Sequence, residues 1–359
     1  MTLFGLAISA SLLAGLAAAA PAGGQARPDA NCRDDNGTDR CAEDQQRRMR
    51  ELYGAMTIEQ HQAAGDEVRR IFYVDGYGRD LVLVSFLRAP GRDPELLVQL
   101  PPRGEEARPE PMRAAVPQSV WNEVIAGSRN FHRSFAPEPG SPPGEASICM
   151  HSWVYTIESA ERPLASRPAT VRRKIEDACE DGPGQLYALD LQRTALSLLP
   201  HCAALAPDQH RNPASTLAAC RVLHGDRLAA AEALNLAETF QRIEGPQDAA
   251  RIAGLFAHQI RIDWAGQPYR GSGVQAAPFW AEQARPARGS TNLSFERVEG
   301  ESADRVRMTG LLSRTTDTPR GAATGNESAR VELIWVRDQN GTFAVSEATV
   351  GRWTSSGGG

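Results

Sequence analysis

The sequence predicts an α+β protein built in two units, and three features carry that expectation. Residues 68–101 and 148–158 read as strands dense in β-branched and aromatic residues, with helical stretches after them, as in an antiparallel sheet covered by helices. Residues 226–352 run in the opposite order, with helices first and three or four long strands last. The chain has 359 residues, the length of about two domains. Apolar residues make up 41% and charged residues 23%, which suits a globular chain, and the net charge of −5 gives no broad attraction to nucleic acid or anionic lipid. Of the 39 basic residues only Lys174 is a lysine. The arginines are scattered, and Ala, Gly and Pro are plentiful, so genome base composition explains them better than a set of phosphate-binding forks.

The chain opens with an uncharged apolar run from Leu6 to Ala20, too short to span a bilayer, followed by small residues at Ala20-Pro21-Ala22 and Gly24-Gln25-Ala26. Residues 1–26 are therefore expected to be a cleavable signal peptide, although no Lys or Arg precedes the run. The protein is then periplasmic or secreted, with no later membrane span. Six cysteines fit an oxidising compartment. Sequence alone leaves their pairing open. Proximity favours Cys32–Cys41 and Cys202–Cys220, which leaves Cys149–Cys179. A zinc site is not expected, because there is no C-x-x-C pair and no histidine at ligand spacing. "DDNGTD" at 34–39 lacks the spacing of a calcium loop and reads as an Asx-rich turn.

The first unit is expected over 27–202. A helix is read at 45–65, two strands within 68–88 separated at Asp75-Gly76 and Gly78, and a third strand at 95–101. A short helix begins near Val120, a strand covers 148–158, and helices cover 169–180 and 184–200. The polar, proline-broken stretch 203–221 is expected as a linker. In the second unit, helices are read at 226–245, 247–257 and 274–284, with a strand at 258–264. Four strands follow at 291–299, 303–313, 328–338 and 342–352, and the tail 354–359 is expected to be disordered.

The residues "ARIAGLFAHQIRIDWAGQPYRG" (250–271), followed by "AAPFW" (276–280), resemble the nuclear transport factor 2-like superfamily, which includes SnoaL-like proteins and ketosteroid isomerase. The resemblance covers residues 222–353 and none of the first 200. It implies a cone-shaped α+β barrel and says little about activity, because the superfamily hosts many unrelated functions. In ketosteroid isomerase a carboxylate base on this strand works beside a Tyr and a protonated Asp. Aligning the Leu-Phe-Ala runs without gaps puts Trp264 at the base's position, Phe240 at the Tyr's and Ile334 near the protonated Asp's.

Strand parity points the same way. Ile260, Ile262 and Trp264 share one face, while Gln259, Arg261 and Asp263 share the other, unless a bulge shifts the register. The resemblance thus implies an interior lined by Phe240, Trp264, Phe279, Trp280 and Trp335. That interior reads either as a pocket for a small hydrophobic ligand or as a plain core.

Other chemistry is not signalled. No serine-hydrolase elbow, H-E-x-x-H or phosphate-cradling glycine loop is present, and no cofactor or metal is expected. His151 stands near Cys149, but a cysteine of an exported chain is more simply read as bonded than as a nucleophile. The expected protein is a non-catalytic envelope component that binds a small apolar ligand or associates, as a homodimer through its C-terminal sheet. The alternative is a SnoaL-like isomerase, cyclase or hydratase with Asp263 or Glu332 as general base.

Overall fold

The computed structural model describes residues 40–75, 78–102, 107–134, 154–162, 170–177, 183–205, 213–286, 288–317 and 324–356. The protein is α+β, with two sheets and helices packed on both. Expectations for residues 1–39 and for 135–153, which include the start of the strand expected over 148–158, lie outside the described residues. Among those described, no helix is long and apolar enough to cross a membrane.

The first sheet is built from β1 (Glu67–Val74), β2 (Asp80–Arg88), β3 (Glu95–Gln99), β4 (Met112–Ala115), β5 (Val154–Glu161) and β6 (Thr170–Asp177). The order is β4-β3-β2-β1-β5-β6, and every neighbouring pair is antiparallel. Strand β1 is buried along nearly its whole length because helices cover both of its faces. Ile71 and Tyr73 pack into the core with Trp121 of α3 (Gln118–Ser134) and Leu191 of α4 (Pro183–Ser197). Phe72 and Val74 meet Met49 of α1 (Arg40–Glu51), and Val68 meets Ile58 of α2 (Ile58–Ala63). Thr57 starts α2 through a capping box with Gln60, each side chain accepting the other residue's backbone N–H.

Residues 169–180 were read as a helix, yet Thr170–Asp177 is the edge strand β6, paired with β5 in full register. Thr170, Val171 and Ile175 favour extended backbone, and the cross-strand partners on β5 outweigh the helical reading of the charged residues between them. The stretch 203–221, expected as a linker, carries α6 (Pro213–Ala219), whose Ala214, Thr216 and Leu217 are buried. It packs against α4 and β2, close to α5 (Pro200–Ala203).

The second sheet contains β7 (Leu223–Gly225), β9 (Phe256–Trp264), β10 (Gln267–Ser272), β11 (Arg288–Ser302), β12 (Arg305–Asp317), β13 (Thr324–Arg337) and β14 (Phe343–Val350). Its order is β10-β9-β14-β13-β12-β11-β7, with short β8 (Arg242–Ile243) on β11 and β15 (Thr354–Ser356) on β13. The β14–β9 and β11–β7 pairs are parallel and the rest antiparallel. The tail expected to be disordered therefore holds three residues in ladder contact with Asn326–Ser328. Helices α7 (Arg227–Ala237), α8 (Ala249–Ile252) and α9 (Gly273–Gln283) accompany this sheet, with α7 against β11 and α9 against β9.

The helix expected over 226–245 ends at Ala237. A 3-10 turn and β8 complete the segment, because Ile243 gains a pairing partner in Thr291 on β11. The helix expected over 247–257 is a single turn, α8, between two 3-10 turns. Gly225 sits at φ +61 opposite Gly300, where a side-chain carbon on either residue would run into backbone carbonyl oxygen. That close approach lets β7 lie beside β11 while Asp226 caps α7 through the Ala229 N–H.

Candidate functional site

The aromatic interior against the second sheet is assembled by simple periodicities. Along β9 the burial pattern alternates, so Ile260, Ile262 and Trp264 point inward while Gln259, Arg261 and Asp263 are exposed. On α9 the buried face is Ala276, Ala277, Trp280 and Ala281, and its three alanines let the helix settle close to the sheet around the one large ring. Phe240 closes the 3-10 turn after α7, and Trp335 comes in from β13.

Trp280 is the hub, with ring centroids 4.9 Å from Trp264, 5.6 Å from Phe240 and 6.1 Å from Phe256. Phe240 in turn meets Phe256 at 5.3 Å and Trp335 at 6.0 Å, both edge-on. These separations are contact distances between rings. Phe279 makes no ring contact with this cluster; it is half-buried at the edge of the same core, stacked on Tyr269 of β10 at 4.9 Å. Phe256, which was not among the expected lining residues, takes a place in the cluster. Two clefts among the described residues lie elsewhere and are polar. One, of about 320 Å³, runs past Ser313, Arg314 and Glu327; the other is lined by Arg242, Glu244, Asp248 and Arg251. The indole N–H groups of Trp280 and Trp335 are buried without a hydrogen-bond partner.

The two candidate bases stand away from this interior. Asp263 is exposed and accepts the Gly266 backbone N–H at 2.8 Å, which closes the β9–β10 turn where Ala265 adopts φ 54. Glu332 is half-buried on β13 and accepts from Arg307 at 2.7 Å. It belongs to a mixed-charge row on the outward side of the sheet, where Arg261 meets Glu347 and Arg330 meets Glu296. Asp263→Ala is expected to lower stability by about 1 kcal/mol, the net worth of one turn hydrogen bond, and Asp263→Asn by less because the amide oxygen still accepts. Urea unfolding followed by circular dichroism measures this; a loss several times larger would place the carboxylate in a role other than turn closure.

The first sheet holds a charged cluster that sequence reading passed over. Arg70, Glu158 and Arg173 occupy one cross-strand row on β1, β5 and β6. Glu158 is fully buried and accepts Arg70 Nε at 2.7 Å and Arg173 Nε at 2.6 Å. Burial alone would raise its carboxyl, but the two guanidiniums outweigh burial and hold it below the usual carboxylate range. Arg173 also reaches Glu59 on α2 at 3.0 Å, and Arg70 donates to the Met56 carbonyl at 2.7 Å. Beside them His61 Nδ1 lies 2.8 Å from Asp66 Oδ2. Burial pushes the His61 imidazole down against the pull of that carboxylate. These bonds tie α2 to the sheet. The only sequence trace of them is charge at strand positions, which a one-sided sheet would expose.

The expected disulfide Cys202–Cys220 is present, with Cα atoms 5.3 Å apart. It joins α5 to the turn after α6 within the continuous core. The pairings Cys32–Cys41 and Cys149–Cys179 rest on residues outside those described.

Together these features describe an α+β protein with an aromatic-filled C-terminal core and its candidate carboxylates on the surface. A scan against models of protein families found no match, and a search of curated proteins found none. Among solved structures, the chain is similar to a hexachlorocyclohexane dehydrochlorinase of type 2, at 17% identity and TM-score 0.28 over 37% of this chain and 89% of that one. It is also similar to a ketosteroid isomerase-like protein from Erwinia carotovora atroseptica, at 10% identity and TM-score 0.27 over 36% and 92%. A third is a DUF4783 family protein from Bacteroides uniformis, at 14% identity and TM-score 0.25 over 33% and 93%. Likenesses at these scores carry no argument about activity.

Proposed function

We propose that the protein is a non-catalytic component of a bacterial envelope, exported by its N-terminal apolar segment. In this reading the C-terminal unit is a nuclear transport factor 2-like cone that works by association with a second copy. The observation that carries it is the ring cluster around Trp280. Five aromatic side chains occupy the interior where an enzyme of this architecture would hold a substrate, and all five are buried. What remains for recognition is the outward side of the sheet. Its alternating charges, Arg261, Glu347, Arg330 and Glu296, suit a self-complementary contact about a two-fold axis. The isomerase, cyclase or hydratase reading needs a desolvated carboxylate facing inward. Asp263 and Glu332 have other engagements.

A second reading is favoured by one observation. The unpaired indole N–H groups of Trp280 and Trp335 would be satisfied by a small, mostly apolar guest carrying an acceptor atom. Native mass spectrometry of residues 27–359, purified from the periplasm without detergent, separates the two. A bare dimer at micromolar concentration that Arg261→Glu converts to monomer supports association. A reproducible added mass lost on denaturation supports the guest, and a bare monomer overturns both.

A further inference from the structure

Four of the chain's nine asparagines open an Asn-x-Ser/Thr triplet: Asn36, Asn292, Asn326 and Asn340. Serine and threonine together make up about one residue in nine, so chance would give about one such triplet among nine asparagines. The triplet is the acceptor signal for an N-linked glycan, and in an exported chain it marks a surface loop. Asn36 lies outside the described residues. The fold sorts the other three.

Asn292 and Asn326 expose their side chains, but their backbones are held in ladders. Asn292 of β11 is paired with Ser313 on one side and Arg242 on the other, and Asn326 of β13 with Thr315 and Ser356. A transferase has to draw the acceptor backbone into its own cleft. At these two positions that would break two ladders at once and strip backbone groups of their partners. Asn340 is placed differently. It lies between the end of β13 at Arg337 and the start of β14 at Phe343, and residues 338–342 are all exposed.

The turn is closed by its backbone and by one carboxylate. Asp338 Oδ1 accepts the Asn340 N–H at 2.8 Å and the Thr342 N–H at 2.9 Å, and Arg337 donates to the Gly341 carbonyl at 2.8 Å. Gly341 takes φ +77, with open space around it. Neither the Asn340 carboxamide nor the Thr342 hydroxyl bonds to any described residue. Both reacting parts of the signal are therefore free, on a hairpin tip of the kind that tolerates a bulky addition.

We propose that Asn340 is an N-glycosylation site, which depends on the export proposed above because the chain must reach the compartment that holds the donor. The co-reactant is an oligosaccharide carried on a lipid pyrophosphate. In the transfer the Asn340 amide nitrogen bonds to C1 of the first sugar as the bond from C1 to the pyrophosphate oxygen breaks. The departing pyrophosphate keeps the electron pair of that bond and takes up the proton that the nitrogen loses. Nothing is oxidised or reduced.

The test uses the full chain in two forms. One is treated with a purified bacterial oligosaccharyltransferase and its lipid-linked donor, beside an acceptor peptide as control; the other is purified from its own host. Peptide mass spectrometry of the enzyme-treated protein is expected to find one donor oligosaccharide on Asn340. Occupancy there should fall to background in Asn340→Gln and Thr342→Ala and stay unchanged in Asn292→Gln and Asn326→Gln, with unchanged circular dichroism throughout. The host's protein should carry a glycan at the same residue. A modified control peptide with bare Asn340, or transfer to Asn292 or Asn326 in preference, overturns the assignment. A bare Asn340 in the host's protein also overturns it. The intact mass of that protein shows whether residues 1–26 have been removed, so a failure of export is told apart from a failure of the site.

Discussion

Trp280→Ala is expected to lower the free energy of unfolding by about 3–5 kcal/mol, the range for deleting a buried aromatic side chain. The ring is fully buried and touches Phe240, Phe256 and Trp264, so its removal takes away contacts with three rings from two elements at once. The neighbours cannot all collapse into the gap, because Trp264 and Phe256 are fixed by the ladder between β9 and β14. Trp280→Phe is the informative companion. It keeps a ring in the space and removes an N–H that has no partner, so its loss should be well under half that of the alanine variant. Denaturant unfolding followed by tryptophan fluorescence and circular dichroism measures both. If the two variants lose the same amount, the indole N–H has a partner, and a guest in the interior becomes the better reading.

Glu158→Ala is expected to have a comparable effect, about 3–5 kcal/mol, because it leaves the buried guanidinium of Arg70 and the partly buried one of Arg173 without their shared counter-ion. The same carboxylate gives the protein an acid sensitivity with a definite sign. Its folded-state pKa lies below the unfolded value, so its stabilisation is complete above the unfolded pKa of about 4.3 and fades as pH falls through the folded value. Stability measured across that interval should drop in the wild type and drop less steeply in Glu158→Gln. Replacing the whole row, with Arg70→Met, Glu158→Leu and Arg173→Met together, should recover most of the loss, since packed apolar residues replace a buried ion pair at little cost. A triple variant as unstable as Glu158→Ala would mean that the row is needed for more than charge balance, for instance to hold α2 through the Met56 carbonyl.

The physical basis of each success and failure is visible in particular residues. Alternation at Ile260, Ile262 and Trp264 was enough to orient β9, because side-chain direction in a strand follows chain position alone. The proximity of Cys202 and Cys220 in sequence anticipated their bond. Thr170–Asp177 departs from the helical expectation because a strand on the edge of a sheet can carry charge on both faces, here at Arg172, Arg173, Lys174, Glu176 and Asp177, and still pair. The helices read over 226–245 and 247–257 broke because pairing of Ile243 with β11 and the packing of short turns outweigh propensity.

Local pattern by itself determined which residues of β9 face inward, where most strands run, and that the chain is α+β. Only the tertiary structure decided that Phe279 stacks on Tyr269 while Phe256 joins the ring cluster, that Arg70, Glu158 and Arg173 share one buried row, and that Met112 meets a disulfide 90 residues further on. Such neighbours come from different elements, and their meeting depends on sheet order and helix placement. Those are properties of the packed chain and leave no trace in any short window of it.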